Sequence, residues 1–241
     1  MAIDTFLAMT AAEMATAENI PRHMAWMACH FSPYGTGLTN LPASLPPDSL
    51  LILNDRTPIH GHDPHQIAQQ LEDCITQLQC RGVLLDFQRP NCEETRELVR
   101  YLLCALPCPV GVSEAYAQHG NHPVFLPPVP PSTPLEDYLV PWQEQEIWLE
   151  LALDGEVLTL TEQGCAILPL PYPDANNPGF VDEKLHCHYR AEIKESAVRF
   201  SLWRTTEDLK ELEADAKKSG VTTAVGLYQE LVGRGHDPAG Q

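Results

Sequence analysis

Short apolar runs, each cut off by polar or proline residues, set the pattern of this chain. Met24 to His30, Ser49 to Leu53, Gly82 to Phe87, Pro109 to Ser113, His122 to Leu126, Ile147 to Leu151, Ala197 to Trp203 and Val221 to Leu227 each read as a strand. Runs this short, with turn formers at both ends, suit strands rather than helices. Where no polar residue interrupts them they suit parallel strands, which are covered on both faces. Between several of them the apolar period becomes helical. Ile67, Leu71, Cys74, Ile75 and Leu78 fall on one helical face, with Asp63 as N-cap and Pro64 at the first helical position. Glu93 to Ala105 predicts the next helix, and Thr205-Thr206-Glu207-Asp208 opens another with a capping signature. Residues 1–20, rich in Ala and Met, predict a short helix.

The rhythm changes after the sixth strand. Asp154-Gly155 signals a hairpin, and Val157 to Thr161 alternates apolar and polar. Residues 155–193 therefore predict an antiparallel decoration, with a proline-rich loop from Pro169 to Phe180. Strand–helix order recurs on both sides of it, and the strands number eight. The expected fold is one α/β (β/α)8 TIM-like barrel over residues 1–232, some helices short or missing, followed by a disordered tail, 233–241. The rival is an open doubly wound sheet, which would usually show a glycine-rich phosphate loop after its first strand. Gly35-Thr36-Gly37 is too short and polar for that role.

Composition narrows the partners. The 241 residues hold 15 basic and 33 acidic side chains, a formal charge of −18. Nucleic acid and anionic membrane surfaces need a positive face and are not expected partners. Twenty-two prolines argue against an all-helical bundle. The eight cysteines form no C-x-x-C pair, and the first 20 residues show neither a basic n-region nor an apolar h-region. A reducing cytoplasm with free thiols is the expectation. Oligomeric state is open.

In a barrel the active face lies at the carboxyl ends of the strands. Those ends carry Tyr34, Asn54, Asp55, Asp86, Gln88, Glu114, Glu150, Trp203, Arg204 and Tyr228. Carboxylates on separate strand ends can act as an acid–base pair across a sugar, which makes Asp86, Glu114 and Glu150 the candidate catalytic residues. Tyr34, Asn54, Asp55, Gln88, Trp203, Arg204 and Tyr228 are the candidate ligand contacts, the aromatic ones by stacking. A structural network of these acids with Arg56, Arg89 and Arg204 is the competing reading.

Arg81-Gly82-Val83-Leu84-Leu85-Asp86-Phe87-Gln88 resembles the strand signature of the family 18 glycosidases, D-G-x-D-x-D-x-E. Gly82 and Asp86 match. Arg81 and Leu84 replace two aspartates, and Gln88 stands where the family has its catalytic Glu. The resemblance implies a barrel and a glycan ligand. In the family, that Glu protonates the leaving oxygen and the substrate's acetamido group is the nucleophile. An amide has no proton to give near neutral pH, so the mechanism does not carry over to Gln88. The family bears the motif on its fourth strand, whereas the run count here makes it the third.

His60-x-His62 and His186-x-His188 each place two imidazoles on one side of an extended segment. With Asp63 or Asp182 they offer a metal-dependent hydrolase as a further alternative. The primary expectation needs neither metal nor cofactor. It is a glycoside hydrolase-like barrel with a small-molecule or glycan ligand on its rim, whose catalysis the sequence leaves open: if it is an enzyme, Glu114 or Glu150 must be the acid. A non-catalytic barrel binding a glycan or a protein is the second reading.

Overall fold

The computed structural model describes residues 3–90, 92–117, 121–170, 179–194 and 197–232. In chain order the elements begin with β1 (Asp4–Met9), α1 (Ala11–Thr16), β2 (Met24–Phe31), β3 (Leu38–Thr39), β4 (Leu50–Asn54), α2 (Pro64–Leu78) and β5 (Gly82–Asp86). There follow α3 (Glu93–Ala105), β6 (Val110–Ser113), β7 (Val124–Leu126), α4 (Leu135–Leu139) and β8 (Ile147–Leu151). The chain continues through β9 (Gly155–Thr161), β10 (Gly164–Pro169), β11 (Phe180–Asp182), β12 (Cys187–Lys194) and β13 (Ala197–Trp203), and ends with α5 (Thr206–Lys218), β14 (Thr223–Leu227) and α6 (Tyr228–Leu231).

Eight strands, β1, β2, β4, β5, β6, β7, β8 and β14, pair in parallel, and β1 pairs with both β2 and β14, so the sheet closes into a barrel. The short β3 folds back antiparallel on β2. Strands β10-β9-β13-β12-β11 form a separate antiparallel sheet, the predicted decoration. Helix α2 has the expected cap, the Asp63 carboxylate accepting the His65 N–H at 2.9 Å. The proline-rich segment 171–178 and the tail 233–241 lie outside the described residues.

Two expectations fail, and they offset each other. The segment predicted as an N-terminal helix forms β1 and only then the one short helix α1. Ala and Met favour a helix, but Phe6, Ala8 and Met9 are buried between neighbouring strands, and strand formation follows burial more than intrinsic preference. Conversely Ala197–Trp203, predicted as the seventh stave, is β13 of the antiparallel sheet. Its Arg199 and Ser201 alternate with apolar residues, whereas true staves such as Leu50–Leu53 and Val83–Leu85 are apolar throughout. Gly82–Asp86 therefore moves from third to fourth stave, the place where family 18 glycosidases carry the signature.

Residues alternate in and out along each stave. Phe6, Ala8, Ala25, Leu50, Ile52, Leu84, Phe125, Trp148 and Val225 fill the barrel. The opposite parity, with Leu51, Leu53, Val83 and Leu85, packs under α2 and α3 through Ile67, Leu71, Leu98 and Leu102. Two glycines make this filling fit. A Cβ on Gly111 would lie 2.4 Å from the Trp148 ring. One on Gly82 would lie 2.7 Å from the Pro109 carbonyl oxygen, which is backbone and cannot rotate away. Gly82→Ala is expected to lose about 1–3 kcal/mol of stability, as overpacked cores do, and urea unfolding measures it. An unchanged midpoint would mean β5 and β6 can separate slightly.

Candidate functional site

Following the inward parity to the carboxyl ends gives the barrel mouth. Beyond Leu84 comes Asp86, beyond Trp148 comes Glu150, beyond Ile52 comes Asn54 and beyond Ala8 comes Thr10. All four line one cavity of about 580 Å³, together with Met27, His30, Asn40, Phe125 and Leu227. Asp55, Arg56 and Gln88 complete its rim.

Asp86 sits partly buried at the end of β5, and Gln88 Nε2 donates to both its carboxylate oxygens, at 3.2 and 3.4 Å. Burial raises its pKa, the Gln88 hydrogen bond works against that rise, and the Asp55 charge adds to it. Burial likewise pushes the Glu150 carboxyl up, to about 7, with the negative charges of Asp86, Asp154 and Glu230 contributing. Two carboxyl groups thus face one cavity, both raised by burial, and Asp86 has the Gln88 amide as a donor.

The other lining groups have fixed duties. Asp55 is 4% exposed. Its carboxylate accepts the backbone N–H groups of Gln88 (3.1 Å) and Arg89 (2.8 Å), so it shapes the turn that presents Gln88. Asn54 Nδ2 donates to the carbonyls of Met27 (3.1 Å) and Cys29 (3.0 Å), where β2 bulges between Trp26 and Cys29. Both line the cavity, as expected of ligand contacts, while polar atoms of each also hold the rim together.

Five expected rim residues are not among the described lining. Glu114 follows Ser113, past the end of β6, and is exposed. Tyr34 is 86% exposed on the loop after β2. Tyr228 opens α6, half-buried against the outer core. Trp203 and Arg204 end β13, which is not a stave. Trp203 is buried, stacked on His188 with ring centroids 5.9 Å apart and with the Arg190 guanidinium 5.1 Å from its centre. Arg204 is buried and donates to the carbonyls of Val129, Pro130, Leu185 and His186. It joins the barrel to the antiparallel sheet.

His30 and Asn40 escaped the sequence reading. His30 ends the first predicted strand, and the rule applied to Asp86 would have found it. Its Nδ1 lies 2.9 Å from Thr39 Oγ1, and Asn40 Nδ2 lies 3.2 Å from its Nε2. Asn40 reaches the mouth only because β3 turns back on β2, its own φ being +57°.

The histidine pairs go separate ways. His60 Nδ1 faces Glu94 at 3.1 Å, and His62 Nε2 faces the Ser32 carbonyl at 3.1 Å. His186 Nε2 faces Asp215 at 3.1 Å, and His188 Nδ1 faces Asp208 at 2.9 Å. Among the described residues no group of three or more His, Cys, Asp or Glu is placed to hold a metal ion. The proposed partners Asp63 and Asp182 instead accept backbone N–H groups of their own turns.

No protein-family model matches the chain, and no curated protein sequence does. Solved structures do share its fold. The spore cortex-lytic enzyme SleL of Bacillus cereus superposes with a TM-score of 0.56 at 11% identity, over 93% of this chain and 70% of that one. A chitinase of Chromobacterium violaceum gives 0.53 at 10% identity, over 99% and 96%. A chitinase-like agglutinin of Robinia pseudoacacia gives 0.53 at 13%, over 92% and 93%. A family 18 chitinase of Cycas revoluta, solved with (GlcNAc)3, gives 0.51 at 8%, over 92% and 94%. The closed parallel barrel of this chain is the fold these neighbours share. At these identities the likeness is one of fold.

Proposed function

We propose that the barrel mouth binds a carbohydrate-like ligand and that the protein does not run the family 18 protonation step. The observation that carries this is Gln88. It stands at the motif's acid position, lines the cavity and directs its amide at Asp86. The cavity supports a sugar ligand by its chemistry. It has an apolar floor of Leu84, Phe125 and Val225 under a ring of hydrogen-bonding groups. Among the neighbours, one chitinase was solved with (GlcNAc)3 and another protein is named a chitinase-like agglutinin. With Asp86 and Glu150 both facing inward, the ligand is neutral or cationic rather than an acidic sugar.

Calorimetry with GlcNAc oligomers, beside an aryl-glycoside hydrolysis assay, tests the proposal. Binding without turnover is the expected result. Asp86→Asn is expected to weaken binding about 10- to 100-fold, the range for losing a charge-assisted hydrogen bond. No binding of any oligosaccharide would end the proposal.

One observation favours a second reading, hydrolysis with Glu150 as the acid. Its carboxyl, raised to about 7, holds a proton in the range where a general acid works. Turnover by wild type that Glu150→Gln abolishes and Gln88→Ala leaves unchanged would establish it instead.

A further inference from the structure

The antiparallel sheet has two unlike faces. In antiparallel pairs, residues directly opposite share a face. One row across four strands is Ile167, Leu158, Phe200 and Ala191. The next is Cys165, Leu160, Val198 and Ile193. Neither row contains an ionisable acid or base. The opposite face carries Ala166, Thr159, Arg199 and Glu192 in one row, with Leu168, Val157, Ser201 and Arg190 in another. Along β9, β12 and β13 apolar and polar residues alternate, as in a sheet with one side covered and the other wet.

The apolar side is not covered. Ile167 is 55% exposed, Leu160 41% and Ile193 81%, while Leu158, Val198 and Phe200 are half-buried. The third row, nearest the barrel, is different. Leu202 is buried there, and Glu156 accepts from the Ser132 N–H and hydroxyl. The uncovered area is therefore the part of the sheet that extends away from the barrel.

We propose that this face is the contact surface between two copies of the chain, packed face to face as the halves of a β-sandwich. Size is the first argument. Four strands at about 4.8 Å, uncovered over about 15 Å of their length, give a footprint of roughly 300 Å² on each copy. Two such faces bury roughly 600 Å², the scale of a weak contact that forms only as concentration rises. Charge is the second. Each copy carries a formal −18, so copies repel wherever acidic surface meets. These rows are ground on which they can touch without burying a charge. A partner recognised by charge would find nothing in them to pair with. Shape is the third. Two identical sheets share one twist, as aligned sandwich packing about 10 Å apart requires, and the patch can meet itself about a twofold axis.

Sedimentation velocity of the full chain tests this. A dimer is expected to form as concentration rises to about 100 µM. Ile193→Lys and Ile167→Lys sit on exposed side chains, so folding should survive, which circular dichroism checks. Each is expected to raise the dissociation constant about tenfold or more, because the twofold axis buries the new charge twice. Leu168→Lys, on the opposite face and 62% exposed, should leave the dimer intact. A wild-type chain that stays monomeric throughout overturns the proposal. So does a dimer that Leu168→Lys breaks and Ile193→Lys does not. Flotation of the monomer with phosphatidylcholine vesicles, lost in Ile193→Lys, would assign the face to a membrane surface and equally overturn it.

Discussion

Arg204→Ala is expected to destabilise the protein by about 3–5 kcal/mol, the cost of breaking a buried charged hub. The guanidinium is 3% exposed and donates to carbonyls from two separate stretches, Val129–Pro130 after β7 and Leu185–His186 before β12. Alanine would leave those oxygens in a space too dry to hydrate them well. Each unsatisfied acceptor costs about 1–3 kcal/mol, and the losses do not simply add. Asp154, Asp208 and Glu156 would also lose a nearby positive charge. Arg204→Lys keeps the charge but not the planar fork, so it should recover only part of the loss. Urea unfolding gives the magnitude. Hydrogen exchange gives the location, with β12 and β13 expected to lose protection before the barrel strands. A loss under about 1 kcal/mol would mean that the sheet is held by Trp203 and Cys187 packing instead.

That prediction comes from a misplaced residue. The sequence pattern puts Trp203 and Arg204 on the rim only because it makes Ala197–Trp203 a stave. What is legible in this chain is the continuous apolar run. Leu50–Leu53, Val83–Leu85 and Val124–Leu126 can only be strands covered on both faces, and they are. Intrinsic preference is the weaker guide, since β1 is buried between β2 and β14, and β14 lies at the other end of the chain, where no local pattern reports it. Within the site, period two decides more than strand ends do. Counting in twos from Leu84, Trp148 and Ile52 reaches Asp86, Glu150 and Asn54. The same count from Gly111 reaches Ser113 and passes over Glu114, which is not among the lining residues. From Val225 it reaches Leu227 and leaves Tyr228 outside. Asn40 could not be found this way, because a hairpin with a left-handed residue brings it to the mouth.

The same parity that brings Glu150 inward makes it a burden on the fold, and Glu150→Gln is expected to stabilise the protein at pH 8. Folding moves this carboxyl from its ordinary 4.5 to about 7, so the folded state holds on to a proton that the unfolded chain releases. Below about pH 4.5 both states are protonated and the side chain costs nothing extra. As pH rises toward 7 the unfolded chain ionises freely and the folded one does not, so stability falls. Above 7 the full cost is present, near 3 kcal/mol for a shift to about 7 and about 2 kcal/mol once water at the mouth is allowed for. Glutamine keeps the shape and removes the charge. Its advantage over wild type should therefore be absent at pH 4, grow between pH 5 and 7, and level off above, in urea unfolding across that range. The variant should at the same time bind GlcNAc oligomers more weakly, since a carboxyl retained against stability is usual where function needs it. A constant difference at every pH would place Glu150 in water in the folded state. A stabilised variant with undiminished binding would remove it from the ligand's reach.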